Sequence, residues 1–332
     1  MIPPVNVMNP GLSPPVPGKA ERPPLPSGAR NRDTTVNHEF YLADVVSFMG
    51  ERLFVTGGLR HTRTDDGRFN TTTNVRTFDN NAKSTTFSTG AVYHLNPEKS
   101  LTLYANANSS FIPEFKRQPD GEALKPEEGK QQEAGLRFSL AGNRIQGLLS
   151  VYEIQQRNVA QPDPNRADYF VQIDGIRSRG GEFELNARFT EAWSVMGGYA
   201  YNDSRDTKTG VRSIYAPYHM FTAFNKYAFQ QGKLRGLDVA LGSIYLGERP
   251  INQTPITTLG GLVNAPLWTL PGEWRFDLVL RYALRTKGRV QYVFGTKLQN
   301  ALDNQNIFKL GDRVSVQRQP GRTLQFSVSA KF

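Results

Sequence analysis

Four histidines, His38, His61, His94 and His219, could carry protons or hold a metal, but they are scattered, with no pair at metal-ligand spacing. Glu182 and Glu184 lie two apart, which puts both carboxylates on one face of a strand; paired carboxylates serve as acid and base in glycoside cleavage. The plainer reading of this pair is ion pairing with arginines on the same face. The chain has no cysteine, so disulfides, thiolate metal sites and cysteine nucleophiles are absent together. It has neither a glycine-rich phosphate loop nor a nucleophile elbow. Its basic residues are dispersed over strands rather than clustered with aromatics, which argues against nucleic acid as a partner. The residues point away from an enzyme and toward no cofactor.

The elements that carry these side chains alternate. Phe183, Leu185, Ala187 and Phe189 interleave with Glu182, Glu184, Asn186 and Arg188. Trp274, Phe276, Leu278, Leu280 and Tyr282 interleave with Arg275, Asp277, Val279 and Arg281. Ala134, Leu136, Phe138 and Leu140 oppose Glu133, Arg137 and Ser139, and Val290, Tyr292, Phe294 and Leu298 oppose Gln291, Gly295 and Lys297. At the end of the chain Leu324, Phe326, Val328, Ala330 and Phe332 oppose Gln325, Ser327, Ser329 and Lys331. Period 2 is the repeat of a pleated strand. The runs reach the roughly 9 to 11 residues of a tilted membrane strand, whereas soluble strands usually stop at about 5 or 6. A half-buried strand of a soluble sandwich also alternates, so repetition and length favour the membrane: lipid on one side, water on the other.

Composition fits. Hydrophobic residues make up 38% and mean hydropathy is -0.49, and no stretch approaches the roughly 20 apolar residues of a membrane helix. The 13 Tyr and 20 Phe suit interfacial girdles. The net charge of +10 could draw anionic ligands or lipopolysaccharide, although lysines and arginines of lumen and loops are more often simply solvated.

Period and turn residues predict strands near 37–49, 52–64, 82–95, 100–108, 129–140, 143–156, 177–189, 192–203, 218–230, 235–247, 274–284, 288–299 and 321–332. Connections alternate short and long. Asn96, Pro97, Glu98, Lys99 and Ala141, Gly142, Asn143 make tight turns, while 65–81, 109–128, 157–176, 204–217, 248–273 and 300–320 are long and rich in Gly, Pro, Asn, Asp and charge. In outer-membrane barrels the short turns are periplasmic and the long loops extracellular. The fold class is therefore all-β: a transmembrane antiparallel β-barrel, here a partial one of about 13 strands. An odd count would make the first and last strands run parallel, so an open sheet is expected for the chain alone.

Particular residues carry a family resemblance. Leu124, Lys125, Pro126, Glu127, Glu128, then Gln132, Glu133, Ala134 and Gly135, resemble a strand-opening motif of TonB-dependent siderophore receptors. So do Ser100, Leu101, Leu103, Tyr104 with Ser110, Phe111; Arg177, Ser178, Arg179, Gly180, Glu182; Gly198, Tyr199, Tyr201; and Pro217 with His219. Gly247, Glu248, Arg249, Pro250 and Leu270, Pro271, Gly272 with Asp277 continue the series. Asn300 and Asp303 fall where the family has an Asn-Leu-Phe-Asp-Lys run, but Ala301 replaces its leucine. The motifs are individually weak; their order from about Phe40 to Phe332 is what is specific.

The resemblance implies uptake of ferric siderophores across the Gram-negative outer membrane. It also implies a receptor with signal peptide, TonB-contacting segment, plug and a barrel of about 22 strands. Residues 1–36 hold nine prolines and no signal-peptide pattern, and resemble an extracellular loop remnant; residues 37–332 would be the C-terminal portion of the barrel. The expected partners are outer-membrane lipid and lipopolysaccharide, the TonB system through N-terminal parts of such a receptor, and the barrel assembly machinery, with Phe332 in the final strand as the membrane-assembly signal. Aromatic and basic loop residues suit large, often anionic iron chelates through stacking and charge. The candidates are Phe111, Phe115 and Arg117 on one loop, Tyr169 and Phe170 on another, and Arg212 with Tyr215 on a third. Loop aromatics more often pack the loop itself. The alternatives are a passive outer-membrane pore, a receptor for another cargo such as a vitamin or sugar, and a soluble β-rich binding module.

Overall fold

The computed structural model describes residues 31–114, 116, 118–163, 169–173, 175–251, 256–258, 261–263, 268–285, 290–304, 308–310 and 316–331. Thirteen long strands form one sheet. They are β1 (Asn31–Phe48), β2 (Leu53–Asn70), β3 (Val75–His94), β4 (Leu101–Ile112), β5 (Glu127–Leu140), β6 (Ile145–Arg157) and β7 (Ile176–Arg188). β8 (Trp193–Asp206), β9 (His219–Ala228), β10 (Leu237–Leu246), β11 (Glu273–Arg285), β12 (Gln291–Gln299) and β13 (Thr323–Lys331) complete it. Each strand pairs with its neighbours in the chain, so the order is a simple meander. β1 and β13 are its two edges, and the sheet is open as the parity argument requires. Every second connection is a tight turn, and each strand finds its partners among its nearest neighbours in sequence.

The chain divides into two compact units: Met1–His38 with Arg63–Ala82, and Glu39–Thr62 with Lys83–Phe332. In the first unit Asp33 takes two hydrogen bonds from Arg68 at 2.6 and 2.9 Å, Thr35 donates to Asp66 at 2.6 Å, and Arg76 pairs with Asp79 at 2.7 Å. Here the sequence reading is corrected. The predicted 65–81 loop is mostly strand: β2 continues to Asn70, β3 starts at Val75, and a four-residue turn at 71–74 joins them. Asn70 Oδ1 accepts from the amides of Thr72 and Thr73 at 2.9 and 3.1 Å, which fixes that turn. β1 also begins earlier than the period predicted, at Asn31.

In the second unit the pairing register sorts side chains into two faces. Trp274, Phe276, Leu278, Leu280 and Tyr282 align with Tyr245, Ser243, Leu241, Val239 and Leu237. Phe183, Leu185 and Ala187 align with Tyr199, Gly197 and Val195 on one side and with Leu149, Gly147 and Ile145 on the other. The predicted apolar face is thus continuous across strands. Its aromatics gather at two levels. At one, Trp274 lies 4.8 Å from Tyr245, 5.6 Å from Phe276 and 5.8 Å from Phe221; at the other, Phe189 meets Trp193 at 4.7 Å and Tyr227 meets Phe229 at 4.9 Å. The nine residues from Trp274 to Tyr282 span roughly 27 Å along the strand, or about 20 Å after a tilt of about 40°, close to the apolar height of an outer-membrane barrel.

Short turns close one end of this unit. Asn96 Oδ1 accepts from the amides of Ser100 and Leu101 at 2.9 and 3.2 Å, and Lys99 takes φ of 55°. Ala141, Gly142 and Asn143 all have positive φ, which Gly and Asn tolerate best. The longer connections, 113–126, 158–175, 207–218, 247–272 and 300–322, lie at the opposite ends of these strands.

Candidate functional site

The long connections are held to one another by side-chain to backbone bonds. Gln172, in a short strand Phe170–Ile173 paired with Val159–Pro162, accepts from the Lys125 amide at 3.0 Å and donates to the Asn158 carbonyl at 2.9 Å. Asn158 donates to the Pro126 carbonyl at 2.9 Å, and the Ala160 amide donates to Glu127 at 2.9 Å. The 113–126 and 158–175 connections therefore form one body. The 207–218 connection is tied in turn: the Thr207 amide donates to the Gly175 carbonyl at 3.0 Å, and the Tyr215 amide to the Pro250 carbonyl at 2.7 Å. Beneath Pro250, Arg249 and Glu273 form an ion pair at 2.6 Å with both side chains 4% exposed. Arg249 also donates to the Gly247 carbonyl at 3.3 Å.

The candidate residues fall unevenly on this body. Phe111 is in β4 rather than in a loop; it pairs with Glu128 and shares the apolar-face register of Leu101 and Leu103. The strand runs to Ile112, past its predicted end, because pairing with β5 continues where the alternation fades. Phe115 and Arg117 lie outside the described residues. Between them Lys116 places its ammonium 4.8 Å over the Phe170 ring and pairs with Glu114 at 2.8 Å. Tyr169 is exposed at the edge of the same cluster. Arg212 stacks 3.7 Å over Tyr218 and donates to the carbonyls of Ala216 and Glu248 at 3.1 and 3.3 Å, so its guanidinium fastens its own loop. Tyr215 holds a left-handed φ of 66° and contributes its amide to the Pro250 bond. Phe332 lies outside the described residues. Lys116 was not singled out by sequence; a basic residue between two candidates was the available signal.

Along the polar face a cavity of about 1180 Å³ extends over β5 to β12, with Arg137, Glu184, Asp277 and Lys297 among its lining residues. The expected arginine partners of Glu182 and Glu184 do not materialise: among the described residues neither carboxylate forms an ion pair. Tyr104 donates instead to Glu133, which also accepts from Gln131 at 3.1 Å. Lower on the same face Asp238 bridges Lys226 at 3.1 Å and Arg281 at 3.3 Å. Among the described residues no group of three or more His, Cys, Asp or Glu is placed to hold a metal. The arrangement offers a concave face where Arg137, Glu184, Asp277 and Lys297 stand among Leu148, Met196 and Phe224, and a braced platform of loops at one end.

Comparison with known proteins agrees. The family model described as TonB dependent receptor-like, beta-barrel, matches residues 7–304. The metal-pseudopaline receptor CntO of Pseudomonas aeruginosa is 27% identical over 324 residues, covering 94% of this chain and 43% of the relative. The ferrioxamine B receptor of Salmonella typhimurium is 30% identical over 196 residues, 58% of this chain and 26% of the relative. The crystal structure of the ferripyoverdine receptor of the Pseudomonas aeruginosa outer membrane superposes with a TM-score of 0.71 at 21% identity, over 89% of this chain and 38% of that one. The chain spans less than half the length of these relatives. With lipid-facing aromatics, sorted loops and a matching family model over most of its length, the chain belongs to the TonB-dependent receptor-like β-barrel family, receptors rather than enzymes, of the Gram-negative outer membrane.

Proposed function

We propose that this chain is wall and loop platform of a receptor that captures a metal chelate outside the cell, a ferric siderophore foremost, and admits it under the drive of TonB. The observation that carries the reading is similarity along 94% of the chain to a receptor for metal-pseudopaline, a metal chelate by name. The relatives named for ferrioxamine B and ferripyoverdine extend the same ligand class to iron. The loop platform supports it chemically: Lys116 over Phe170 offers charge and a ring to a large anionic chelate. TonB would be a partner of the receptor as a whole. The barrel assembly machinery would read the terminal strand, whose last residue is Phe332.

The test is uptake by the bacterium that makes this protein, grown under iron limitation. Radio-iron and radio-nickel are supplied as chelates of several siderophores and of a pseudopaline-type metallophore. Deleting the gene should abolish entry of one chelate, and loss of TonB should do the same. Unchanged uptake of every chelate would reject the reading; loss of nickel uptake alone would move the cargo from siderophores to metallophores.

A further inference from the structure

We propose that the buried ion pair of Arg249 and Glu273 is a positioning pair: it fixes a bend in the β10–β11 ribbon and so sets the 207–218 connection and the base of the 247–272 connection as one body for holding cargo. The bend is a matter of geometry; its consequence for cargo rests on the capture function proposed above. β10 and β11 pair as far as Leu246 with Glu273. Pairing resumes at Arg249 with Leu270 and Pro250 with Thr269, and the Ile251 amide donates to the Trp268 carbonyl at 2.9 Å. Two residues on each arm stand between these ladders, Gly247 and Glu248 against Pro271 and Gly272, so the register is kept and only the pairing lapses. Neighbouring residues of a flat ribbon point to alternate faces. Arg249, three residues past Leu246, would then lie on the face opposite to Glu273. Instead Arg249 Nη2 sits 2.6 Å from Glu273 Oε1, so the ribbon is bent where its pairing lapses.

The gap between the ladders supplies the freedom and the pair removes it. A Cβ on Gly247 would stand 2.9 Å from the His219 carbonyl oxygen, and one on Gly272 would stand 2.8 Å from the Tyr245 hydroxyl, so both arms pass where a side chain does not fit. Pro271 has no amide to give to a ladder. Arg249 reaches both sides of the gap: one nitrogen meets Glu273 on the far arm, and Nη1 donates to the Gly247 carbonyl on its own arm at 3.3 Å. A buried ion pair adds little stability over apolar residues of similar volume, because desolvation offsets the attraction. Its directional N–H···O bonds, however, admit one geometry where apolar side chains could slide. The 207–218 connection is fastened just beyond the bend, on either side of Arg249: the Tyr215 amide donates to the Pro250 carbonyl at 2.7 Å and Arg212 to the Glu248 carbonyl at 3.3 Å. The other loop body, 113–126 with 158–175, meets this one where the Thr207 amide donates to the Gly175 carbonyl. The angle at Arg249 and Glu273 therefore sets how Arg212 and Tyr218 stand toward Lys116 and Phe170.

The test uses the protein purified from the outer membranes of its own host and placed in lipid nanodiscs. This chain has no cysteine, so spin labels can be set at Asp120→Cys with Thr269→Cys, and at Asp120→Cys with Lys208→Cys, all exposed positions. Each pair should give one narrow distance distribution. Arg249→Met with Glu273→Leu should keep the urea midpoint yet broaden both distributions. Arg249→Lys keeps the charge but gives up the planar fork, and should broaden them less. Parental widths in the folded variants would overturn the proposal, and if the double variant does not fold, Arg249→Lys alone decides. Affinity is read by fluorescence quenching with each ferric chelate of the uptake panel. If the bent orientation is occupied about one-tenth of the time, affinity for the chelate that binds should fall about tenfold, with little change in uptake rate at saturating chelate. Broadened distances with unchanged affinity would overturn the positioning role. Absence of binding by every chelate, even to the parent, would reject the capture function instead, and the distances would still judge the bend.

Discussion

The two faces of β7 share one backbone and two solvents. Phe183, Leu185 and Ala187 look out with Leu149 and Val151, which are 52% and 61% exposed; in water such a surface would be an aggregation patch, and in a bilayer it is solvated. Glu182 and Glu184 look the other way, where among the described residues they have no ionic partner. The inner face thus holds both kinds of charge, Glu182 and Glu184 without an ionic partner and Asp238 shared by Lys226 and Arg281. Where that face does bury charge, at Arg249 and Glu273, pairing is complete. The difference teaches that burial within this sheet is set by what wets each face, and exposure alone says little about stability.

The buried pair offers the sharpest way to break this comparison. Glu273→Ala would strand Arg249 at 4% exposure and should cost about 3–5 kcal/mol, read as a lower urea midpoint for the protein folded in lipid vesicles. Replacing both, Arg249→Met with Glu273→Leu, should recover most of it, because the penalty comes from the unpaired charge. A single variant with the parental midpoint would show that water reaches the pair.

One substitution made on both faces comes next. Leu136→Arg lies among Leu103 and Leu149 on the lipid side and should cost about 2–4 kcal/mol near the bilayer midplane. Leu148→Arg, in register with Arg137 and Glu184 on the inner side, should be nearly neutral in the same assay. Equal penalties would mean the faces are exchanged or the solvents alike.

A packing feature is smaller. A Cβ on Gly135 would stand 2.5 Å from the Tyr104 ring and 2.6 Å from the Leu149 carbonyl oxygen, so an aromatic lies over a glycine across the strand pair, a known device for filling such a notch. Gly135→Ala should cost about 1–3 kcal/mol by overpacking. Adding Tyr104→Ala should relieve only part of this, since the carbonyl contact remains.

All thirteen strands were legible from period 2 wherever lipid and water face one another. The reading failed at 65–81, where β2 and β3 continue through Asp65, Asp66 and Arg68 and through Arg76, Asp79 and Asn80. With charged and polar residues on both faces nothing in the sequence alternates, and a strand then looks like a loop. The loop platform was half legible. Aromatic and basic candidates could be picked by type, but Lys116 meets Phe170 across 54 positions and Arg212 meets the Glu248 carbonyl across 36, contacts that no local pattern encodes. Arg249 was noticed as part of a motif, while its partner Glu273 gave no signal of its own.

The unit of residues 31–38 and 63–82, with charges on both strand faces, supplies the smallest prediction and the limit of the comparison. β1 and β2 are 18 residues each, longer than the roughly 9 to 11 of a tilted span, so Asp33 and Arg68 lie outside the bilayer. The Arg68 hydrogen bonds hold the Asp33 carboxyl below its usual range. A carboxyl lowered on folding stabilises the fold above its unfolded value, about 3.9, and that contribution is lost as pH falls through the folded one. Amide protection at 31–38, taken relative to the intrinsic exchange rate at each pH, should therefore fall on acidification below about pH 4, and Asp33→Asn should remove that step while leaving the 39–62 and 83–94 strand segments unchanged. Both side chains are more than half exposed, so the effect should be slight and weaken further in salt. A large acid response here would mean the pair is shielded from water, and the rule that solvent sets the pattern would not extend beyond the membrane.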